Sequence, residues 1–217
     1  MTRRALAVRH LPTPYYEHGG ITIYCGDCRE IAPALAEGIA VVSDPPYGMN
    51  YDTNGTRFTL GGRTLPPVFG DDEPFDSRPW TQYRSCVLWG FNHFPSSLPS
   101  GGALVWIKRS EAAYGAFLSD AEIAWTNNGH GVYIYRDTHH AIACNRQHPT
   151  QKPVGLMMWT ITRSGAPEDA TILDPFMGSG TTLVAAKRLG RRAIGIEIEE
   201  RYCEIAVRRL AQEVMPL

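Results

Sequence analysis

The chain has 217 residues, 43% of them hydrophobic, and a formal net charge of −1, enough for one buried α/β core. That balance excludes a globally cationic nucleic-acid binder, so any contact with a polyanion has to come from a local patch. The five cysteines, Cys25, Cys28, Cys86, Cys144 and Cys203, form an odd set with one C-x-x-C spacing and no second pair, which excludes a disulfide framework and gives no zinc site.

Taken in chain order, residues 1–10 carry Arg3, Arg4 and Arg9 around an apolar mix too short for a signal peptide. No later run reaches membrane-spanning length. We therefore expect a cytoplasmic protein with reduced thiols, no metal and no membrane partner. Residues 20–25 (Gly-Ile-Thr-Ile-Tyr-Cys) alternate as a strand ending at Gly26-Asp27. Ile31, Ala32 and Leu35 have helical spacing before Gly38. Ile39-Ala40-Val41-Val42 is a second strand, and Ser43-Asp44-Pro45-Pro46-Tyr47-Gly48 ends it, because neither proline has an N–H for the ladder. Strand, helix, strand predicts a βαβ unit of parallel neighbours, with Asp27 and Asp44 at the carboxyl edge where open α/β sheets bind ligands.

Residues 49–79 lose all periodicity, and Arg57, Arg63, Phe58 and Phe69 stand among glycines and prolines. A stretch this long is either a loop that grips a nucleic-acid backbone or a solvated insertion, and both readings stand. Residues 80–94 have helical spacing through Tyr83, Val87, Leu88 and Phe91. Residues 102–107 read as a buried strand ending at Lys108-Arg109, and residues 112–118 as a short helix. Residues 121–126 and 131–136 read as two strands joined into a hairpin by Asn127-Asn128-Gly129. His139 and His140 are neighbours, which suits surface positions better than a shared ligand site. After His148-Pro149-Thr150-Gln151-Lys152-Pro153 comes a helix over residues 154–163, then a strand over 170–173. That strand ends at Asp174-Pro175-Phe176-Met177-Gly178-Ser179-Gly180-Thr181-Thr182. A helix over 183–189, a strand over 193–196 closed by Glu197, and an amphipathic helix over 199–213 complete the chain.

Strand, Gly-x-Gly loop, helix, strand and terminal acid make a nucleotide-binding unit, with Glu197 nineteen positions after Gly178 (197 − 178 = 19). Leu183 stands where a third fingerprint glycine would be, and no lysine follows Gly180, which removes the P-loop reading. A ribose-binding acid without a diphosphate fingerprint suits a nucleoside cofactor without phosphates, such as S-adenosylmethionine.

Asp44-Pro45-Pro46-Tyr47 followed, late in the chain, by the Asp174–Thr182 loop resembles the β-class amino-methyltransferases of DNA, which methylate adenine N6 or cytosine N4. The resemblance covers most of residues 21–48 and 148–210. It implies one methyltransferase domain over 1–217, an α/β fold with a circularly permuted Rossmann-like sheet, mostly parallel with an antiparallel hairpin and helices on both faces. It implies that Asp44, Pro45, Pro46 and Tyr47 hold the target amine and base, and that residues 49–79 are an insertion able to contact DNA. Gly178 and Gly180, with Ser179, Thr181 and Thr182, would approach the methionine part of the cofactor, and Asp174, Phe176 and Asp44 would line it. Thr150 and Lys152 would meet its carboxylate, Glu197 with Ile198 its ribose, and Asp27 with Cys28 its adenine; for Asp27 a helix-capping role stands beside that one. Tyr47, Arg57, Arg63, Lys108 and Arg109 are the candidate DNA contacts.

Aspartate as the first residue of the tetrapeptide resembles adenine enzymes, whereas cytosine-N4 enzymes more often carry serine there. Only residues 126–147 remain for a target-recognition region, so a short or relaxed recognition sequence, a homodimer or specificity-supplying second subunit, or a reader built from the 49–79 loop is expected. A cytosine-N4 enzyme and a catalytically inactive DNA-binding subunit are the alternatives; a nicotinamide dehydrogenase leaves Asp44-Pro45-Pro46-Tyr47 unexplained. The permuted order makes one structural demand: the Asp44 and Asp174 motifs have to meet across adjacent strand ends.

Overall fold

The computed structural model describes residues 10–50, 67–115, 119–137 and 151–212. Its strands are β1 (Tyr16–His18), β2 (Ile21–Cys25), β3 (Ile39–Ser43), β4 (Ser85–Trp89), β5 (Gly102–Ile107), β6 (Ala121–Thr126), β7 (Val132–Arg136), β8 (Thr171–Asp174) and β9 (Ala193–Glu197). Its helices are α1 (Cys28–Ile31), α2 (Val154–Arg163), α3 (Thr181–Arg188) and α4 (Glu200–Ala211). The strands form one mixed sheet in the order β1-β2-β9-β8-β3-β4-β6-β5-β7. From β2 to β4 neighbours are parallel, and β6 then runs antiparallel to both β4 and β5.

Side chains alternate between two cores, as the period of a strand requires. Ile21, Ile23, Val42, Val87 and Trp89 pack with residues of α2, α3 and α4, including Leu156, Leu183 and Ala206. Tyr24, Val41, Cys86 and Leu88 face the other way, against Cys28 and Ile31 of α1 and the aromatic residues Trp80 and Phe94. The sheet is therefore covered on both faces, which explains why its central strands read as unbroken apolar runs.

Three expectations are corrected by the structure. First, β2 and β3 are parallel but not neighbours, because β9 and β8 lie between them; the α1 connection crosses over the unit formed by the end of the chain. Second, residues 85–89 are a fully buried strand rather than part of a helix. A strand buried on both faces has no alternation to distinguish it from a buried helix. Third, β6 and β7 do not form a hairpin. β5 pairs with both of them, antiparallel to β6 and parallel to β7. Asn127 is committed elsewhere, accepting the Cys86 N–H at 2.8 Å and donating to the Tyr83 carbonyl at 2.9 Å. β5 slips in beside it on glycine: a Cβ at Gly101 would lie 2.4 Å from the Thr126 carbonyl oxygen, and one at Gly102 would lie 2.8 Å from that of Gly131.

Candidate active site

The parallel pairing of β3 with β8 brings the two motifs together at one carboxyl edge. Ser43, the last residue of β3, donates its hydroxyl to Asp174 Oδ1 at 2.6 Å, across 131 positions of sequence. Thr182 on the first turn of α3 donates to Asp174 Oδ2 at 2.5 Å, and the Phe176 N–H reaches Oδ1 at 3.2 Å. Asp174 is 3% exposed. Burial raises its pKa to about 6 against the pull of those three donors. Its carboxylate ties the end of β3 to the glycine loop and α3.

Asp44 follows Ser43 at the mouth of the sheet. Tyr47 folds back and donates its hydroxyl to Asp44 Oδ1 at 2.5 Å. The loop that carries Tyr47 is fixed by Asp71, whose Oδ1 accepts the N–H groups of Tyr47 and Gly48, both at 2.9 Å, and of Met49 at 3.2 Å. Gly48, at φ +77°, has no room for a side chain, since a Cβ would lie 2.5 Å from the Glu73 carbonyl oxygen. Gly90, just past β4, has φ +76°, and a Cβ there would overlap the Tyr47 ring at 2.1 Å. The ring of His93 is stacked on that of Tyr47, with centroids 4.8 Å apart and planes at 11°.

Lys152 approaches from the segment before α2. Its ammonium lies 2.6 Å from Asp44 Oδ2, 2.9 Å from Glu122 Oε2 and 3.4 Å from the Tyr47 hydroxyl. Lys108 bonds the other oxygen of Glu122 at 2.8 Å. The result is an alternating chain, Lys108–Glu122–Lys152–Asp44, running inward from the half-buried end of β5. Asp44 is pushed up by burial and held back chiefly by Lys152. Lys152 is desolvated too, but the two carboxylates hold it well above the ordinary lysine value, so it stays an ammonium. Glu122 is desolvated as well, and its two lysines outweigh that, lowering it to about 2.

On the other side of Asp174 the loop after β8 turns tightly into α3. Arg209 of α4 reaches back to donate to the Ser179 carbonyl at 2.6 Å, the Ser179 hydroxyl at 3.0 Å and the Thr181 hydroxyl at 3.1 Å. Gly180 packs so closely on α4 that a Cβ would lie 2.7 Å from that of Ala206. Glu197, at the end of β9, accepts the Gly178 N–H at 3.0 Å and the Glu199 N–H at 2.9 Å. Burial lifts its pKa to about 7 despite those donors. Phe176 meets Phe75 and Trp80 edge-on, with centroids 5.6 and 5.5 Å away.

The structure thus brings Asp44, Pro45, Pro46, Tyr47, Lys152, Asp174, Phe176, Gly178 and Glu197 to one edge, while Ser179, Thr181 and Thr182 turn inward to Arg209 and Asp174. Ile198 is partly exposed beside Glu197. Asp27 caps α1, accepting the Arg29 N–H at 2.8 Å and pairing with its guanidinium; Cys28 is buried, and its thiol is pushed up to about 12 by burial. Of the basic candidates, Lys108 is spent on Glu122 and Arg109 bonds the Ala113 carbonyl at 3.4 Å. Arg57, Arg63, Thr150, His139 and His140 lie outside the described residues. Sequence reasoning missed Asp71, Glu122, His93 and Arg209. Glu122 had a readable signal, a carboxylate inside an apolar strand; the other three acquire their places only through tertiary contacts.

Comparison with known proteins agrees with this arrangement. A family model described as DNA methylase matches residues 122–208. The chain is 57% identical to the type II methyltransferase M2.DpnII of Streptococcus pneumoniae over 67 residues, which are 31% of this chain and 25% of that protein. It is 27% identical to M.ScaI of Streptomyces caespitosus over 100% of this chain and 90% of that protein. The match to the first thus spans a quarter of that protein's length. Among solved structures, M1.HpyAVI in complex with SAM superposes with a TM-score of 0.59 over 87% of this chain and 99% of that one, at 23% identity. The cytosine-N4-specific PvuII DNA methyltransferase superposes with a TM-score of 0.64 over 94% of this chain and 90% of that one, at 15% identity. The last two show the fold. The family model matches residues 122–208, and with the meeting of the two motifs at one sheet edge it marks a likeness of this chain to the DNA methylases.

Proposed function

We propose that the protein transfers a methyl group from S-adenosylmethionine to adenine N6 in DNA, by direct in-line transfer to a base turned out of the duplex. The observation that carries the reading is the Ser43–Asp174 hydrogen bond of 2.6 Å, which sets the amine-holding strand beside the glycine loop. When bound, S-adenosylmethionine supplies an electrophilic sulfonium methyl. The residues fit such a molecule: a carboxylate for a ribose diol at Glu197, backbone of the Gly178–Gly180 loop for close approach, and an aromatic wall at Phe176. Asp174 and Arg209 hold that loop from below. Lys152 keeps two of its donors on Asp44 and Glu122, and a cofactor carboxylate would compete with the Tyr47 hydroxyl, 3.4 Å away, for the third.

An exocyclic amine is a weak nucleophile because its lone pair is delocalised into the ring. Asp44 and the Pro45 carbonyl are two acceptors for its two N–H bonds. Hydrogen bonding to both localises the lone pair on nitrogen and aims it, so the acceleration comes from positioning and electrostatics. Asp44 has to be ionised to accept, and Lys152 favours that form. Tyr47, locked by its hydroxyl, offers a ring face to the extruded base. Aspartate as the first residue of the tetrapeptide supports adenine over cytosine as the target. Asp44→Ala is expected to abolish methyl transfer while cofactor binding survives; turnover in that variant overturns the assignment. Nucleoside analysis of the product separates N6-methyldeoxyadenosine from N4-methyldeoxycytidine.

A further inference from the structure

We propose that His93 fills, in the free protein, the stacking position on Tyr47 that the extruded base takes up, and that base entry displaces it. The inference rests on the reading above that Tyr47 receives the base. Two rings whose centroids are 4.8 Å apart and whose planes are within 11° of parallel are already in contact, so no third ring fits between them. A base that stacks on this face of Tyr47 therefore has to replace the imidazole.

Tyr47 is not the ring that yields. Its hydroxyl is bonded to Asp44 at 2.5 Å, its N–H to Asp71 at 2.9 Å, and its edge lies against Gly90, where a Cβ would come within 2.1 Å. His93 is held differently. It is exposed, on a three-residue 3-10 turn (Phe91–His93) that contains no buried residue. Its Nε2 shares a hydrogen bond of 2.9 Å with the side chain of Asn92, which is exposed as well. A rotation of His93 therefore disturbs no core packing. An imidazole is also a planar heteroaromatic ring, the protein's own approximation to the surface of a nucleobase. It keeps the Tyr47 face covered until a base competes for it, and so lowers the apparent affinity for DNA.

Two measurements test this. In tritiated methyl transfer to sheared unmethylated bacterial DNA, His93→Ala is expected to lower the KM for DNA by about threefold to tenfold, the worth of one aromatic stack. A KM that is unchanged overturns the proposal, and a raised KM overturns it in favour of His93 as a second wall of the base pocket. In the wild-type protein, the His93 Cε1–H resonance, assigned with His93→Asn, is expected to be displaced by the ring current of Tyr47. Deoxyadenosine 5′-monophosphate, used as the probe, is expected to move it toward the free-histidine position; a resonance that stays in place at saturating probe overturns the proposal. Failure of the parent reading looks different, because the wild-type protein would then transfer no label to DNA or would place it in N4-methyldeoxycytidine.

Discussion

Replacing Lys152 by methionine removes the cation from the centre of the charge chain and leaves the shape. The Lys152 side chain is 7% exposed and that of Asp44 14%, so water cannot take over the ammonium's task. Removing one partner of a buried ion pair costs about 3–5 kcal/mol, which in a chain of this size lowers Tm by about 6–20 °C. Glu122 keeps Lys108 at 2.8 Å, so Asp44 bears the loss. Its carboxyl, already pushed up by burial, rises further. The ionised fraction at neutral pH falls, and the acid limb of the pH profile of kcat/KM for DNA moves to higher pH, with activity recovering in alkali. Glu122→Gln has the opposite sign: it removes a negative neighbour that raises Asp44, so the acid limb moves to lower pH. Thermal melting and a pH series on both variants are the assays. An unchanged Tm and acid limb in Lys152→Met, or a shift of the same sign in both variants, refutes the reasoning.

Other consequences follow from the same geometry. Burial raises the Glu197 pKa to about 7, and in the proposed reading its ionised form is the acceptor for a ribose diol. The affinity for S-adenosylmethionine, measured by calorimetry, is therefore expected to rise as pH passes upward through about 7, and Glu197→Gln to bind weakly with that pH dependence gone. Ser43→Ala strips one of the donors from buried Asp174 and is expected to cost about 1–3 kcal/mol, a fall in Tm of about 2–12 °C; an unchanged melt contradicts the tie between the motifs. Gly90→Ala places a methyl group where the Tyr47 ring lies, 2.1 Å from its Cε1, on a backbone at φ +76° that disfavours any side chain. Transfer is expected to fall about 100-fold as the ring is pushed out of place, while the far-ultraviolet circular dichroism stays native.

Much of this architecture was legible because its signals are local. The prolines at 45 and 46 end a strand wherever they occur, and the Gly178–Gly180 loop between an apolar strand and an amphipathic helix has few other readings. The permuted order of the two motifs required β3 and β8 to be neighbours, and the Ser43–Asp174 bond meets that demand. What was lost depends on partners far away in sequence. Residues 85–89 read as helix because burial on both faces erases the alternation of a strand. The order β6-β5-β7 turns on glycines at 101 and 102 that let a strand slip in where the Asn-Asn-Gly turn suggested direct pairing. Lys152, expected at the cofactor's carboxylate, lies between Asp44 and Glu122; its pairing with Glu122 depends on the register of β6, which no motif encodes. Asp71 has no signal at all, since nothing in Gly70-Asp71-Asp72 distinguishes the carboxylate that gathers three N–H groups of the Tyr47 loop.

The central claim is that Asp44 holds an adenine amine for methyl transfer from the loop beside it. Incubation with methyl-tritiated S-adenosylmethionine and unmethylated DNA, followed by digestion and separation of nucleosides, tests it most directly. The account predicts label in N6-methyldeoxyadenosine with the wild-type protein and none with Asp44→Ala. Label in N4-methyldeoxycytidine, no label with the wild type, or equal label with both proteins would contradict it.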